Sequence, residues 1–383
     1  MSDVLIAGAG IGGLAAAGGL LADGHSVRVL EAADRLRTGG AAVTVFPNGH
    51  AALHRLGLDA TDLGGRIEAM EFRDAGDRRL SRMDLRPMVA RTGFPVTTIP
   101  RAALLTRLAE ALPADTIVFN AAAVAVEPGP ADASVTDQSG TTRTADVVVG
   151  ADGQASAVRG SVVDPRAATP SGWTTWQGLS PVLPELASGT LGLFFVGHAG
   201  LCGLMPAGQG LLQWWFDART DTVPPTADDA VLGTLRTLFG DFPDPVPALF
   251  DAVAEADMGR FPHVTHEVLD VWGRGAVTLL GDAAHAFPPS QAQGANQALE
   301  DALALTSALR RRGEGDVPEL LRAYERGRTP KVRRVSRMAT SEITNKPPNL
   351  PTRAMARLVP PRLAGLGYLN VLRRYSDVLA QDR

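Results

Sequence analysis

The chain of 383 residues has one cysteine, Cys202, two lysines, Lys331 and Lys346, and three tyrosines. A lone cysteine excludes an internal disulfide and any zinc or iron–sulfur centre built from several thiolates. The expected setting is a reducing cytoplasm, with a chemistry that does not rest on thiols and no metal. Net charge is also small, −4, with no basic domain, which argues against nucleic acid as the main partner. No internal repeat or low-complexity tract occurs. The one long uncharged run, Val4 to Ala22, meets the length of a membrane span, but it holds six glycines and no Lys or Arg precedes it. It reads as neither a span nor a signal peptide, so the protein is expected to be soluble and unprocessed, with a membrane partner unlikely on this composition. The length predicts two or three domains.

What is present is organised around Gly275 to Ala302. Ala276 to Leu280 has the length and branching of a buried strand and stops at Gly281-Asp282. A Pro-rich turn, Phe287-Pro288-Pro289-Ser290, leads to Gln293-Gly294-Ala295-Asn296, which opens a helix with Leu299, Leu303 and Leu305 turned toward a core. A helix start offers unpaired N–H groups and a partial positive charge, and so suits a group that becomes negative. The same order of strand, acid and short helix recurs where Ala145 to Val149 runs into Gly150-Ala151-Asp152 and on to Arg159.

At the other end, Val4 to Ala7 is a short buried strand, followed by Gly8-Ala9-Gly10-Ile11-Gly12-Gly13 and a helical run. This is G-x-G-x-x-G in its required context: a tight turn, a close approach to pyrophosphate, and close packing of helix on strand. The next strand, Ser26 to Leu30, ends in Glu31, eighteen positions after Gly13. An acid there takes both hydroxyls of an adenosine ribose and disfavours a 2′-phosphate, so the nucleotide is FAD or NAD rather than NADP. Arg101, in the first turn of a helix running to Leu112, opposes the helix dipole and invites a phosphate or carboxylate.

Elsewhere the pattern reads as follows. His50 and His54 on one helix are expected at the surface. Arg66 to Thr98 is an antiparallel excursion, and Gly172 to Asp217 is β-like with four of the five tryptophans, Trp173, Trp176, Trp214 and Trp215. Helices at Ala227 to Phe239 and Pro245 to Ala254 and a strand near His266 to Leu269 come next. His263 and His266 read as structural. Pro318 to Asn345 is a basic helix whose Arg326, Arg328, Arg333, Arg334 and Arg337 are expected on a solvated face, and Pro347 to Arg383 forms a terminal helical segment.

Three motifs in fixed order, GAGIGG with Glu31, GADGQASAVR at 150 to 159, and GDAAHAFPPSQAQGANQALEDA at 281 to 302, resemble the class A flavin-dependent monooxygenases of the para-hydroxybenzoate hydroxylase fold, in particular the salicylate and urate hydroxylase-like branch. The resemblance implies an α/β fold: a Rossmann-like FAD-binding domain with an inserted mixed antiparallel β-sheet substrate domain and C-terminal helices. The division expected is 1–66, 99–170 and 270–345 for FAD, 67–98 and 171–269 for substrate, and 346–383 as the C-terminal segment.

The resemblance further implies FAD held without a covalent link on Gly8, Gly10, Ile11, Gly12, Gly13 and Glu31. Arg101 and Asp282 approach its ribityl and phosphate part, Val124 offers backbone to the adenine, and Asp152 serves the cofactor. Pro289 walls the ring, and the helix start at Gly294, Ala295 and Asn296 faces the pyrimidine edge. Arg159 is a candidate for NADH or NADPH, the electron donor. The implied reaction hydroxylates or epoxidises an aromatic or polycyclic small molecule with O2, through a flavin C4a-hydroperoxide; the alternative is an oxidase or reductase without oxygen insertion. No catalytic side chain is named. Gln177, His198, Gln213 and Trp215 are candidates to line the pocket, with His198 or a water as base for a phenolic substrate. A halogenase is disfavoured, since Lys331 and Lys346 lie beyond all three motifs and no W-x-W-x-I-P is present. One departure stands out: Ala292 replaces the first glycine of the family's Gly-Gln-Gly, which restricts its backbone.

Overall fold

A computed structural model describes residues 1–36, 41–129, 131–223, 228–254, 257–311, 315–341 and 357–379. Its first sheet is five-stranded and wholly parallel. In spatial order the strands are Val277–Leu279, Val147–Gly150, Asp3–Ala7, Ser26–Leu30 and Ile117–Val118. Val147–Gly150 and Val277–Leu279 are buried throughout, as central parallel strands covered on both faces must be, so they show no alternation of polar and apolar residues. Helix Ile11–Ala22 lies on this sheet and packs against helix Gly294–Leu309, with Gly12 against Ala298 and Gly19 against Thr306.

The second large sheet has seven strands, in the order Gly259–Thr265, Thr169–Ser180, Leu211–Arg219, Gly200–Gly208, Leu191–Val196, Ala69–Asp74 and Arg79–Asp84. All neighbours are antiparallel except Leu191–Val196 and Ala69–Asp74, so the sheet is mixed, as expected. Its two faces follow the two-residue period of a strand. One carries Trp176, Phe195, Trp214 and Phe216 into a core closed by helices Asp228–Phe239 and Val246–Ala252, where Phe216 stacks on Phe250 at 4.8 Å between ring centres. The other carries Phe194, Met205 and Trp215 toward Phe46, Val335, Leu369 and Tyr375. Gly203 is required opposite Trp215, since a Cβ there would stand 2.1 Å from the indole.

Four local expectations are corrected. His50 is buried and hydrogen-bonded to Thr97 at 2.8 Å, and burial lowers its pKa to about 4. The strand expected at His266 to Leu269 ends at Thr265, because the His266 N–H turns to the Ala286 carbonyl. Arg86–Thr92 forms a helix inside the antiparallel excursion. Arg328 lies on helix Val317–Ser341 but is buried, 1 % exposed, instead of solvated. The terminal helix spans Pro361–Arg373; residues 342–356, with Lys346, lie outside the described residues, as do Ala227 and 380–383. Among the described residues no helix is long and apolar enough to cross a membrane.

Candidate functional site: a dinucleotide cradle facing an aromatic sheet

Register brings the sequence motifs together. Ala7 pairs with both Leu30 and Gly150, and Gly150 with Leu279, so Gly8, Glu31, Ala151-Asp152 and Gly281-Asp282 all follow the carboxyl edge of the parallel sheet. That edge is where open α/β sheets bind ligands. Gly8 stands at φ +105°, and a Cβ on it would lie 2.4 Å from the Ala151 carbonyl oxygen. Helix Ile11–Ala22 has Gly10 at its N-cap, no side-chain cap and no acid in its first turn. A Cβ on Gly10 would meet nothing within 4 Å, which leaves open space in front of the helix start. Glu31 is buried, with one carboxylate oxygen accepting from the Ala9 N–H and the other from the Ala33 N–H, both at 2.9 Å. The acid thus braces the glycine turn.

The cradle continues on other elements. Arg101 opens helix Arg101–Glu110, is half-buried, and its guanidinium has no partner among the described residues. Asp282 and Pro289 are exposed, and Gly294 and Ala295 are half-exposed at the start of helix Gly294–Leu309, which carries no side-chain cap either. Asn296, in contrast, is wholly buried. Its oxygen accepts from the Phe46 N–H at 2.9 Å, and its amide donates to the carbonyls of Thr44 and Ala292 at 2.9 and 2.8 Å. Val124 is exposed, on a strand tethered to the Glu31 turn by the Ala121 N–H to Glu31 carbonyl bond.

Two arginine and aspartate positions behave differently from the rest. Asp152 caps the following short helix, accepting from the Ser156 hydroxyl at 2.5 Å and the Ala157 N–H at 2.8 Å; burial raises its pKa despite these bonds. Arg159 is buried with its guanidinium on the carbonyls of Ala283 and Ala284, at 3.2 and 3.0 Å, and on Asp164. It locks the two strand-end motifs together and presents no free face to a second nucleotide.

Ala292 adopts φ +48°, ψ 34°, the left-handed conformation that a glycine would take freely. The restriction expected from its Cβ is therefore overridden by the loop, at a cost of about 1–2 kcal/mol. Replacing it, Ala292→Gly, should raise stability in thermal unfolding by about 1 kcal/mol, less the backbone entropy of the new glycine. A loss of stability would show that the angle is not strained.

Of the pocket candidates, Gln177, Gln213 and Trp215 share one face of the seven-stranded sheet by register. The Gln213 amide donates to the Ala42 carbonyl at 3.1 Å and to Gln177 at 3.3 Å, so this face abuts the strand Ala42–Val45 beside the cradle. His198 is not brought there. It lies exposed at the hairpin turn between Leu191–Val196 and Gly200–Gly208. Sequence reasoning missed Asp217, Thr175 and His263 on the same face, and the buried set His285, Asp301, Arg328 and Glu300 behind the cradle. The two-residue period from Gln213 through Trp215 to Asp217 was the available signal for the first.

A nucleotide cradle on a parallel sheet, opposed by an antiparallel sheet with an aromatic face, defines a two-part dinucleotide-dependent enzyme. Residues 1–339 match the FAD binding domain family. The chain is 32 % identical over 333 residues to a FAD-dependent urate hydroxylase of Mycolicibacterium vanbaalenii, covering 85 % of this chain and 84 % of that one. It is 35 % identical over 345 residues to a 3-amino-4-hydroxybenzoate 2-monooxygenase of Streptomyces platensis, covering 87 % and 86 %. The crystal structure of Klebsiella pneumoniae HpxO with FAD and uric acid superposes with a TM-score of 0.89 at 26 % identity and 97 % coverage of both chains. The chain belongs to the FAD binding domain family and, within it, to the class A flavin-dependent monooxygenases.

The residues present fit FAD. Two helix starts without side-chain caps, an Arg101 without a partner among the described residues and the open space before Gly10 suit a pyrophosphate and an electron-rich ring, and the position of Glu31 suits a ribose.

Proposed function

We propose that this protein uses NADH or NADPH and O2 to insert one oxygen atom into an aromatic or polycyclic small molecule. The observation that carries the reading is the hydrogen bond from Gln213 to the Ala42 carbonyl, which ties the Trp215 face of the mixed sheet to the strand Ala42–Val45. Support for an aromatic substrate comes from relatives named for urate and 3-amino-4-hydroxybenzoate.

Gly8, Gly10, Ile11, Gly12, Gly13 and Glu31 would hold the adenosine and pyrophosphate of FAD, with Val124 beside the adenine. Arg101 and Asp282 would hold its middle, Pro289 its ring, and the backbone of Gly294 and Ala295 its pyrimidine edge. Asp152 and Asn296 support the loops behind these groups, since their side chains are engaged with backbone. Arg159 is left out as a ligand of NADH or NADPH because its guanidinium is committed to carbonyls. Bound FAD supplies hydride acceptance and activation of dioxygen. The chain supplies orientation and electrostatics: the helix start at Gly294 stabilises negative charge on the bound ring system, and Gln213, Gln177 and Trp215 fix the substrate over it. Lys331 pairs with Asp377, which Arg328 also approaches.

The test is to supply the purified protein with FAD and follow NADH and NADPH oxidation with urate, salicylate, 3-amino-4-hydroxybenzoate and polycyclic phenols. One member of the panel should yield a product heavier by one oxygen atom. A protein without affinity for FAD contradicts the flavoprotein reading, and hydrogen peroxide as the sole product with every compound points to an oxidase or reductase.

A further inference from the structure

Three polar side chains, two of them buried, cross three neighbouring strands on the aromatic face. Thr175, on Thr169–Ser180, lies between Asp217, on Leu211–Arg219, and His263, on Gly259–Thr265. Its hydroxyl is 2.5 Å from Asp217 Oδ1 and 2.6 Å from His263 Nε2, while Asp217 and His263 stand 3.8 Å apart. The cofactor cradle does not use this set. Asp217 follows Gln213 and Trp215 at two-residue spacing, so all three point to the same side of the sheet. The Asp217 side chain keeps 14 % of its surface open, and His263 Nδ1 is buried without a partner.

We propose that Asp217 is a catalytic base for substrates bearing an ionisable ring O–H or N–H, and that Thr175, braced by His263, is the residue that positions it. The proposal rests on the aromatic monooxygenase reading. In the transfer, the substrate O–H bond breaks, its electron pair stays on the ring oxygen, and the proton forms an O–H bond on Asp217. Protonated Asp217 then releases that proton to water through the part of its side chain that stays open. One proton enters and one leaves. The Thr175 hydroxyl remains a donor to Asp217 throughout, and neutral His263 braces the Thr175 oxygen from Nε2.

The electrostatics agree. Burial pushes the Asp217 carboxyl up to about 7, against hydrogen bonds from Thr175 and the Trp215 indole. Burial lowers His263 to about 4, which keeps it neutral. Among the described residues the ionisable group facing Asp217 from a neighbouring strand is His263; the Cys202 thiol, raised by burial and by Asp217, lies on the opposite face of the sheet in register with Phe216. Among the described residues no lysine or arginine forms an ion pair with Asp217, and Arg219, two positions on, is exposed and paired with Asp221. A base with a pKa near the working pH is the efficient one.

The test has two arms. In the protein without substrate, the infrared band of a protonated carboxyl group should fade as pH rises through about 7 and be missing from the wild-type minus D217N difference at pH 9. With FAD and the panel compound that is hydroxylated, wild-type kcat should rise with pH through the same midpoint. D217N should lower kcat about 100-fold at pH 7, with KM within about threefold and the rise abolished. T175V, which removes a donor to the carboxylate, should move the midpoint of the rise to higher pH, and T175S should keep it; this pair decides if D217N fails to fold. A wild-type pH profile in D217N, or an unshifted midpoint in T175V, overturns the assignment of the base while leaving the monooxygenase intact. Absence of product from the wild type with every compound fails the monooxygenase reading, and the base with it.

Discussion

Gly10→Val should leave the FAD-free protein as stable as the wild type, within about 0.5 kcal/mol, yet weaken FAD binding at least about 100-fold, equivalent to about 3 kcal/mol. The backbone at Gly10 is extended, φ −78° and ψ 178°, and so accepts a branched side chain. A Cβ there touches no protein atom. It would fill only the space before the start of helix Ile11–Ala22, where a pyrophosphate takes hydrogen bonds from the unpaired N–H groups. Gly13→Ala is the informative contrast. Its Cβ would stand 2.1 Å from the Gly8 carbonyl oxygen, a backbone atom that cannot move aside, so that variant should lose about 3 kcal/mol of stability even without cofactor. Denaturant unfolding of both apoproteins, with FAD titration by flavin fluorescence, separates the two effects. Equal FAD affinity in Gly10→Val and wild type would place the pyrophosphate elsewhere.

Arg328→Met should cost about 3–5 kcal/mol, the largest stability effect expected of a single substitution here. Arg328 donates to Asp301 at 2.7 Å, to Glu300 at 3.2 Å and to the Gln297 side chain at 2.7 Å, all without solvent. Removing it leaves two carboxylates with less compensation. Burial already raises the pKa of Glu300, and without Arg328 it should take up a proton at higher pH still. Asp301 is buried too, yet His285 at 2.6 Å and Arg328 hold its carboxyl below the usual range. The sign follows: a depressed acid stabilises the fold above its unfolded pKa, and that stabilisation is lost as pH falls toward the folded value. Wild type should therefore lose more stability than Arg328→Met on acidification below about pH 4. The damage should reach the cofactor as well, because Asp301 accepts from the Gly281 N–H at 2.9 Å and so fixes the turn that presents Asp282. Urea midpoints at pH 7 and at about pH 3, with and without FAD, measure all three consequences. A variant with an unchanged midpoint would mean that the pair is dispensable.

The carboxyl edge of the parallel sheet was legible because each of its parts is local. A strand, a glycine turn and a helix start lie within about a dozen residues, and Glu31 follows at the next strand end. The parallel strands then need only pair in register to converge. Burial of charge was not legible. Arg328 sits among basic residues that read as one solvated face, and nothing local announces that Asp301 and Glu300 meet it from another helix. Arg159 likewise looked like a free cation until the Ala283 and Ala284 carbonyls, more than a hundred residues away, took it up. His198 was a candidate for the pocket and for the base of a phenolic substrate, but a Gly-rich turn places it at the hairpin tip. Strand alternation pointed past it, to Asp217. Ala292 shows the limit of reading conformation from residue type: the bond between Asn296 and its carbonyl, with the turn before it, imposes an angle that alanine alone avoids.

The central claim is that the oxygen inserted into the substrate comes from dioxygen. The direct measurement is the mass of the product formed by the FAD-loaded protein from NADH or NADPH under heavy-isotope dioxygen in ordinary water. One heavy oxygen atom in each product molecule is the predicted result. An unlabelled product, or substrate recovered unchanged while labelled hydrogen peroxide accumulates, would contradict it.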